Sequence, residues 1–205
     1  MKVAIVGSRG HCQYAQMFTT EGWEVVTSVQ DADLVQFTGG EDVSPELYGA
    51  EKHHTTHNNP TRDAFEKAVF DKCIELGKPM AGICRGGQFL NVMSGGSMWQ
   101  DVDGHATHKG HYMLDTHSFE VIHVTSTHHQ MMRPSEEGKV LGVASESTYR
   151  ENVHSIKGHF TDDVEVVYYK GTNCLCFQPH PEFNGADSTR AYYFELIERV
   201  FGMRA

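Results

Sequence analysis

Short apolar runs alternate with stretches of helical spacing along the first part of the chain. Residues 2–7, 24–28 and 33–38 are apolar runs of strand length, and residues 11–20 carry apolar positions at helical spacing. A strand, a helix and a strand in this order predict a parallel sheet covered by helices. Residues 61–76 predict an amphipathic helix, whose apolar side is formed by Phe65, Ala68, Val69, Cys73 and Leu76.

The second half of the chain has a different pattern. Residues 101–116 are polar and without helical or strand period, and they predict an irregular segment. Further strands are predicted at residues 119–125, 140–144, 164–168 and 174–177. The closing helix is predicted to begin at Asp187 and to carry inward the side chains of Tyr193, Phe194, Ile197, Val200 and Phe201.

Composition restricts the possible classes of function. The 205 residues carry a net charge of -10 with a pI near 5.7, and the basic residues are scattered. This charge argues against nucleic acid or an anionic membrane surface as the main partner. No apolar run has the length of an export signal or a bilayer span, so we expect a cytoplasmic protein with reduced cysteines. A single domain over residues 1–205 is predicted from the length.

Histidine is unusually frequent, with 14 in the chain. His105-x-x-His108-x-x-His111 could bring three imidazoles together, but its segment lacks the periodicity that would hold them in place. We therefore predict neither a metal nor an organic cofactor. The segment is interpreted as a solvated loop that borders a polar substrate.

A cysteine stands at a predicted turn between a strand and a helix. Gly82-x-Cys84-x-Gly86 has the spacing of the G-x-S-x-G nucleophile elbow, with cysteine in place of serine. The free N–H groups at the start of the following helix would favour a thiolate and would bind a nearby oxyanion. Cys84 is thus a candidate nucleophile. The alternative is a buried structural cysteine at a strand end.

A candidate base follows the last predicted strand. His180 and Glu182 are two residues apart, and Pro179 and Pro181 stiffen the segment in extended geometry. Side chains two apart in an extended segment point to the same side, so Glu182 could accept from one imidazole nitrogen while the other faces a thiol. The alternative is a histidine with a structural role only.

Gly39 and Gly40 form a third feature, at the end of the strand predicted at residues 33–38. Paired glycines let a backbone N–H approach a ligand closely, although a simple turn would also use them. If the three strands involved are parallel, all three features lie on the carboxyl edge of one sheet, where open α/β folds bind their ligands.

These motifs resemble the class I glutamine amidotransferase superfamily. The two signature segments lie at residues 82–91 (GICRGGQFLN) and 178–182 (QPHPE). Three further segments are most similar to the branch that contains gamma-glutamyl-gamma-aminobutyrate hydrolase. They are residues 39–49 (GGEDVSPELYG), 95–101 (GGSMWQD) and 126–130 (STHHQ). Pro179 departs from the family, in which many members have an aromatic residue before the histidine.

The resemblance implies a flavodoxin-like α/β fold, with an open, mostly parallel sheet and helices on both faces. It also implies hydrolysis of a γ-glutamyl amide through a γ-glutamyl thioester on Cys84, with His180 and Glu182 completing a triad. The backbone N–H groups of Gly40 and Arg85 would hold the oxyanion. The residues that would bind the glutamyl group are Gln88, His128 and His129.

The leaving group stays open in the sequence. One reading is a glutaminase that converts glutamine to glutamate and passes ammonia to a synthetase partner. The second is a free-standing hydrolase of γ-glutamyl amides or peptides. A catalytically silent binding protein on the same fold is a third reading, disfavoured by the intact Cys84, His180 and Glu182.

Overall fold

The computed structural model describes residues 1–7, 11–144 and 163–204. In chain order the strands are β1 (Lys2–Val6), β2 (Glu24–Val26), β3 (Leu34–Phe37), β4 (Met80–Ile83), β5 (Ser97–Trp99), β6 (Ala106–Asp115), β7 (Val121–Thr127), β8 (Met131–Arg133), β9 (Gly138–Ala144), β10 (Val164–Tyr169) and β11 (Cys174–Phe177). The α-helices are α1 (His11–Thr20), α2 (Pro60–Leu76), α3 (Arg85–Met93) and α4 (Asp187–Phe201). Residues 145–162, part of the polar connection before β10, lie outside the described residues.

One large sheet organises the molecule. Its strand order is β2-β1-β3-β4-β11-β10-β9-β6-β7, and a separate two-stranded sheet pairs β5 with β8. The pairings from β2 through β11 are parallel, whereas β10, β9, β6 and β7 are added antiparallel. The sheet is therefore mixed, with a parallel half formed by the strands that alternate with helices in sequence.

Helices cover the two faces of the sheet. Helices α1 and α4 pack on one face through aromatic and aliphatic side chains such as Phe18 and Tyr193, and α2 and α3 pack on the other through Phe70 and Phe89. The strands between them are buried on both sides: Ala81 and Ile83 of β4 join the first cluster, and its Met80 joins the second. Continuous burial of this kind is typical of parallel strands between two helical layers.

The predicted inner side of α2 was right for Cys73 but wrong for Phe65 and Leu76. Phe65 is 59% exposed and Leu76 is 38% exposed, whereas the buried positions at helical spacing are Arg62, Asp63, Glu66, Phe70 and Cys73. Three of these side chains are charged, and they are buried because they bind partners next to the candidate site. Hydrophobicity alone therefore misidentified the buried side of the helix.

The segment predicted to be irregular contains the ten-residue strand β6. It pairs with β7 and β9, and a register shift interrupts its ladder with β7 between Thr107 and His111. Gly110 lies at this shift with φ +68°, a left-handed conformation that favours glycine. The irregular backbone explains why the strand leaves no alternating pattern in the sequence.

None of the helices in the described part of the chain is long and apolar enough to cross a membrane.

The carboxyl ends of β3, β4 and β11 lie side by side, because these three strands are parallel neighbours. The Gly39-Gly40 turn, Cys84 and the His180 segment follow these ends directly. The fold therefore brings together the three features that the sequence had placed on this edge.

Candidate active site

Cys84 lies in a strained turn between β4 and α3. Its backbone has φ 51° and ψ -116°, a conformation that residues other than glycine rarely adopt. Two hydrogen bonds hold it there: the Cys84 N–H donates to the Phe177 carbonyl at 2.8 Å, and the Gln88 N–H donates to the Cys84 carbonyl at 3.0 Å. The strand and the helix thus fix the direction of the thiol.

Glycines around Cys84 allow α3 to approach the sheet. A β-carbon on Gly82 would overlap the Gly86 backbone, and a β-carbon on Gly86 would overlap the Phe37 carbonyl. One on Gly87 would lie 2.8 Å from the Phe177 nitrogen, closer than real contacts of this kind. Glycine is therefore required at these positions of the elbow, because the backbone of α3 packs directly on β3 and β11.

Three residues hold His180, two through its side chain and one through its backbone. Its Nδ1 is 2.6 Å from Glu182 Oε1, and its ring stacks on Phe183 with 4.3 Å between ring centroids. The Thr125 hydroxyl accepts from the His180 N–H at 2.6 Å and donates to the His180 carbonyl at 3.2 Å. Since Nδ1 faces Glu182, Nε2 is the nitrogen left for a further partner.

The neighbouring group on that side is the Cys84 thiol: the Cys84 side chain and the His180 ring both lie next to Gly39, and Cys84 affects the pKa of His180. Burial by itself would lower the pKa of His180, but the adjacent Cys84 sulfur and the Glu182 carboxylate outweigh it and raise the pKa to about 10. The raised pKa of His180 thus favours a proton on its imidazole when the neighbouring sulfur is a thiolate. The three side chains predicted as a triad are in contact in the order Cys84, His180, Glu182.

The Gly39-Gly40 turn lies against this triad. The Gly39 N–H donates to the Tyr14 hydroxyl at 2.9 Å. A β-carbon on Gly39 would lie 3.3 Å from His180 Cε1 and 3.6 Å from Cys84 Cβ, so a side chain here would crowd the thiol and the imidazole. Burial, and after it the charge of Glu182, raises the pKa of Tyr14, which keeps this hydroxyl neutral.

A buried ionic network supports both backbone segments. Arg62 donates through Nη2 to the carbonyls of Thr38 and Gly39, at 2.9 and 3.1 Å, and through Nε to Glu66 at 2.7 Å. The Arg85 guanidinium binds Glu66 and also Asp63. Burial, together with the nearby Arg62, lowers the pKa of Arg85 to about 10. The Arg85 side chain is therefore occupied in the interior, and its backbone N–H begins α3 beside Cys84.

The peptidase C26 family model matches residues 16–182, which is most of the chain. The chain belongs to the peptidase C26 family. This membership confirms the resemblance to class I glutamine amidotransferases that the sequence motifs indicated.

One relative of this peptidase C26 protein is the glutamine amidotransferase-like protein YvdE of Lactococcus lactis subsp. lactis, which is 36% identical over 165 residues. The match covers 73% of this chain and 66% of YvdE. A YvdE homologue from Lactococcus lactis subsp. cremoris is 48% identical over 71 residues, which cover 34% of this chain and 38% of the homologue. The matches thus span less than two thirds of the length of these curated relatives.

Solved structures confirm the fold of this peptidase C26 chain. A glutamine amidotransferase from Thermotoga maritima superposes with a TM-score of 0.64 at 14% identity, covering 97% of this chain and 84% of the other. A candidate GMP synthase component from Thermoplasma acidophilum superposes with a TM-score of 0.68 at 16% identity, covering 98% and 94%. The predicted flavodoxin-like α/β architecture is therefore confirmed.

The residues predicted to bind substrate have different surroundings in this peptidase C26 structure. Gln88 is buried and donates through Nε2 to the Gln130 carbonyl at 3.2 Å and to Gln178 Oε1 at 3.1 Å. His128 is buried and turned toward Glu165, with 3.6 Å between Nε2 and Oε1. Their role in binding substrate stays a prediction.

His129 is the most exposed of the predicted binding residues. It lies between two carboxylates, with Nε2 3.3 Å from Asp42 and Nδ1 3.5 Å from Asp101. Asp42 raises the pKa of His129, and burial only partly opposes this effect. The His129 imidazole therefore lies, partly exposed, between two carboxylates next to the segment that begins with the Gly39-Gly40 turn.

Several residues that shape the site were not found from the sequence. Tyr14 and Arg62 lie on helices far from the motifs in sequence, and Thr125 lies on β7; their roles depend on how these elements pack. Phe183 directly follows the His180-x-Glu182 motif. An aromatic residue this close in sequence to a candidate base could have predicted the stacking contact with His180.

Proposed function

We propose that this peptidase C26 protein hydrolyses a γ-glutamyl amide bond through a thioester on Cys84. The observation that carries the proposal is the contact chain from the Cys84 thiol to the His180 imidazole and on to Glu182, built on a strained turn. A nucleophile, a base and a group that orients the base are the three parts that covalent acyl transfer needs.

In the first half of the reaction, the Cys84 sulfur attacks the amide carbonyl. The carbonyl oxygen becomes an oxyanion, for which we propose the backbone N–H groups of Gly40 and Arg85 as donors. The position of Arg85 as the first residue of α3 supports this role, because N–H groups of the first helical turn lack partners within the helix. His180 then gives its proton to the leaving amine, and the glutamyl thioester remains on Cys84.

In the second half, water replaces the amine. His180, now neutral, takes a proton from the water, which attacks the thioester carbonyl, and Glu182 stabilises the imidazolium that forms. The tetrahedral oxyanion collapses, the carbon–sulfur bond breaks, and glutamate leaves. The fixed distance of 2.6 Å between His180 Nδ1 and Glu182 supports this exchange, since it keeps Nε2 directed at the sulfur in both halves.

For the glutamyl end of the substrate we propose Gln88 and the segment of His128 and His129. The amide of Gln88 lies one turn into α3 from Cys84, and the partly exposed His129 imidazole, whose pKa is raised by Asp42, would face the glutamyl carboxylate. The imidazole of His128 is directed toward Glu165, so its segment would contribute through backbone groups.

Two leaving groups fit this chemistry. Membership in peptidase C26 supports a free-standing hydrolase of γ-glutamyl peptides or amides. The similarity in fold to a candidate component of GMP synthase supports the other reading, in which glutamine is hydrolysed and the ammonia goes to a synthetase partner. The acyl half of the reaction is the same in both.

The test is glutamate release by the purified chain from glutamine and from a panel of γ-glutamyl peptides and amides. The matched control substrates are the α-glutamyl isomers, which contain the same atoms but carry the amide on the α-carboxyl group instead of the γ-carboxyl group. Turnover of a γ-glutamyl peptide at least about tenfold above that of glutamine would identify a free-standing hydrolase. Slow turnover confined to glutamine would identify the ammonia-supplying reading. The proposal would be contradicted if no γ-glutamyl substrate released glutamate, or if the α-isomers released it equally fast.

A further inference from the structure

Three imidazoles converge on one buried carboxylate beside the proposed active site. The histidine–glutamate cluster consists of His105, His111, His128 and Glu165. Glu165 Oε1 is 3.2 Å from His105 Nδ1, 3.1 Å from His111 Nε2 and 3.6 Å from His128 Nε2. Glu165 is completely buried, His105 and His128 are almost completely buried, and the His111 side chain is 17% exposed. The predicted solvated loop is thus wrong for His105 and His111.

The sheet places these four residues with irregular backbone. Glu165 on β10 lies at a register shift opposite β9, between Val164 and Val166. His111 on β6 follows the shift opposite β7. His105 and His128 flank the paired ends of β6 and β7, and the His128 N–H donates to the His105 carbonyl at 3.1 Å. Register shifts of this kind re-aim side chains, and here they bring His111 of β6 and Glu165 of β10 to the histidines that flank the β6–β7 pairing.

The outer nitrogens of two imidazoles are already held. His128 Nδ1 is 2.9 Å from the Gln130 carbonyl, which can only accept, so Nδ1 carries the proton. His105 Nε2 is 2.9 Å from the carboxylate oxygen Oδ2 of Asp163, which accepts, so Nε2 of His105 carries the proton. The inner nitrogens, His128 Nε2 and His105 Nδ1, therefore present lone pairs.

These lone pairs face the oxygen of a carboxylate. Among the described residues, His128 Nε2, His105 Nδ1, His111 Nε2 and both oxygens of Glu165 are buried without a hydrogen-bond partner. The inner lone pairs of His105 and His128 thus point at a buried carboxylate, which is unfavourable unless a cation lies between them. The missing group is therefore a cation that accepts several lone pairs at once.

We propose that the histidine–glutamate cluster binds a zinc ion. Zn²⁺ prefers imidazole nitrogen and carboxylate oxygen in a tetrahedron with bonds of about 2.0–2.1 Å, whose ligand atoms are about 3.3 Å apart. The three distances from Glu165 Oε1 to the imidazole nitrogens, 3.1 to 3.6 Å, lie on either side of this ligand–ligand distance. The ligand atoms of His105, His111 and Glu165 all lie within 4.8 Å of one another.

The outer contacts have the arrangement that metal-binding histidines use. A ligating imidazole usually donates its second N–H to a carboxylate or a backbone carbonyl, which fixes the ring. Asp163 does this for His105, and the Gln130 carbonyl does it for His128. His105, His111 and Glu165 supply three ligand atoms, and His128 Nε2, 3.6 Å from Glu165 Oε1, lies beside them as the candidate for the fourth coordination position.

This zinc site is connected to the proposed active site by short backbone contacts. The Gln178 N–H donates to the Glu165 carbonyl at 2.8 Å, two residues before His180. The Gln130 carbonyl accepts from both His128 and Gln88. Zinc would thus join the β6–β7 hairpin to β10 and hold the walls on either side of Gln88.

The experiment measures zinc binding and thermal unfolding of the purified full chain, after chelation and with added ZnCl2. We expect about one zinc per chain with a dissociation constant below about 1 μM, and an increase in Tm of about 5 °C or more at excess zinc. His111→Ala and Glu165→Gln should each weaken zinc binding by at least about 100-fold. Cobalt(II) should give the visible absorption of a tetrahedral site in the wild type but not in His111→Ala or Glu165→Gln.

The matched control is His123→Ala, because His123 lies on the exposed side of β7 and contacts the Lys109 carbonyl instead of the cluster. It should bind zinc as the wild type does. Should a variant fail to fold, the wild-type stoichiometry, Tm shift and cobalt spectrum still decide the question. A folded wild-type chain that takes up no zinc, or whose zinc binding is equally reduced in His123→Ala and His111→Ala, would overturn the proposal. None of these readouts depends on hydrolytic activity.

Discussion

Cys84→Ala is expected to lower glutamate release from the best γ-glutamyl substrate by about four orders of magnitude or more. Without the Cys84 sulfur no thioester can form. Loss of the nucleophile of a triad lowers the catalytic rate about as much as loss of the whole triad. The residual rate would come from bound water in a site that still polarises the carbonyl. The measurement is the steady-state rate of glutamate formation by both proteins at matched concentrations.

The control for this variant is Cys12→Ala, which removes an exposed thiol on α1. It should keep the wild-type rate, and both variants should keep the wild-type Tm within a few degrees. Glutamate release that survives in a folded Cys84→Ala protein would assign the chemistry to another group. Unchanged biological function of that variant would favour the silent binding protein.

Glu182→Gln is expected to reduce kcat/KM by about 10²- to 10⁴-fold while leaving the fold intact. Glutamine preserves the shape but presents a neutral amide at 2.6 Å from His180 Nδ1, so the imidazolium loses its partner and the ring can adopt the wrong tautomer. The control is Glu195→Gln, a change of the same kind on the exposed side of α4. Equal activity of the two variants would remove Glu182 from the mechanism.

The same variant has a defined effect on the pH dependence of stability. Because the pKa of His180 is raised from 6.5 to about 10, its charge adds stability that is complete below pH 6.5 and is lost as the pH rises through about 10. Glu182→Gln should lower the folded-state pKa of His180, so the loss should still begin near pH 6.5 but should be smaller and be complete at a lower pH. Urea unfolding at a series of pH values from 6 to 10 measures the difference. Superimposable profiles of wild type and variant would contradict the assignment.

The candidate triad could be predicted from the sequence because its information is local. Gly82, Cys84 and Gly86 encode a tight strand-to-helix turn within five residues, and His180 and Glu182 share a side of one extended segment. Only the contact between the two motifs depends on long-range structure, and the parallel pairing of β4 with β11 provides it.

The parts that were missed depend on contacts between distant residues. The buried side of α2 carries Arg62 and Glu66, so a count of apolar positions selected Phe65 instead. His111 and Glu165 lie far apart in sequence, and each stands at a register shift that follows no simple period. No window of sequence shows that these two side chains meet.

The measurement that tests the central claim most directly is the mass of Cys84 during turnover. Wild-type protein is mixed with its best γ-glutamyl substrate, quenched in acid at a series of short times and digested for mass spectrometry. We predict that the peptide containing Cys84 gains the mass of one glutamyl group while substrate is present and loses it when the substrate is consumed. Glutamate release with Cys84 unmodified at every quench time, or with the adduct on another cysteine, would contradict the account.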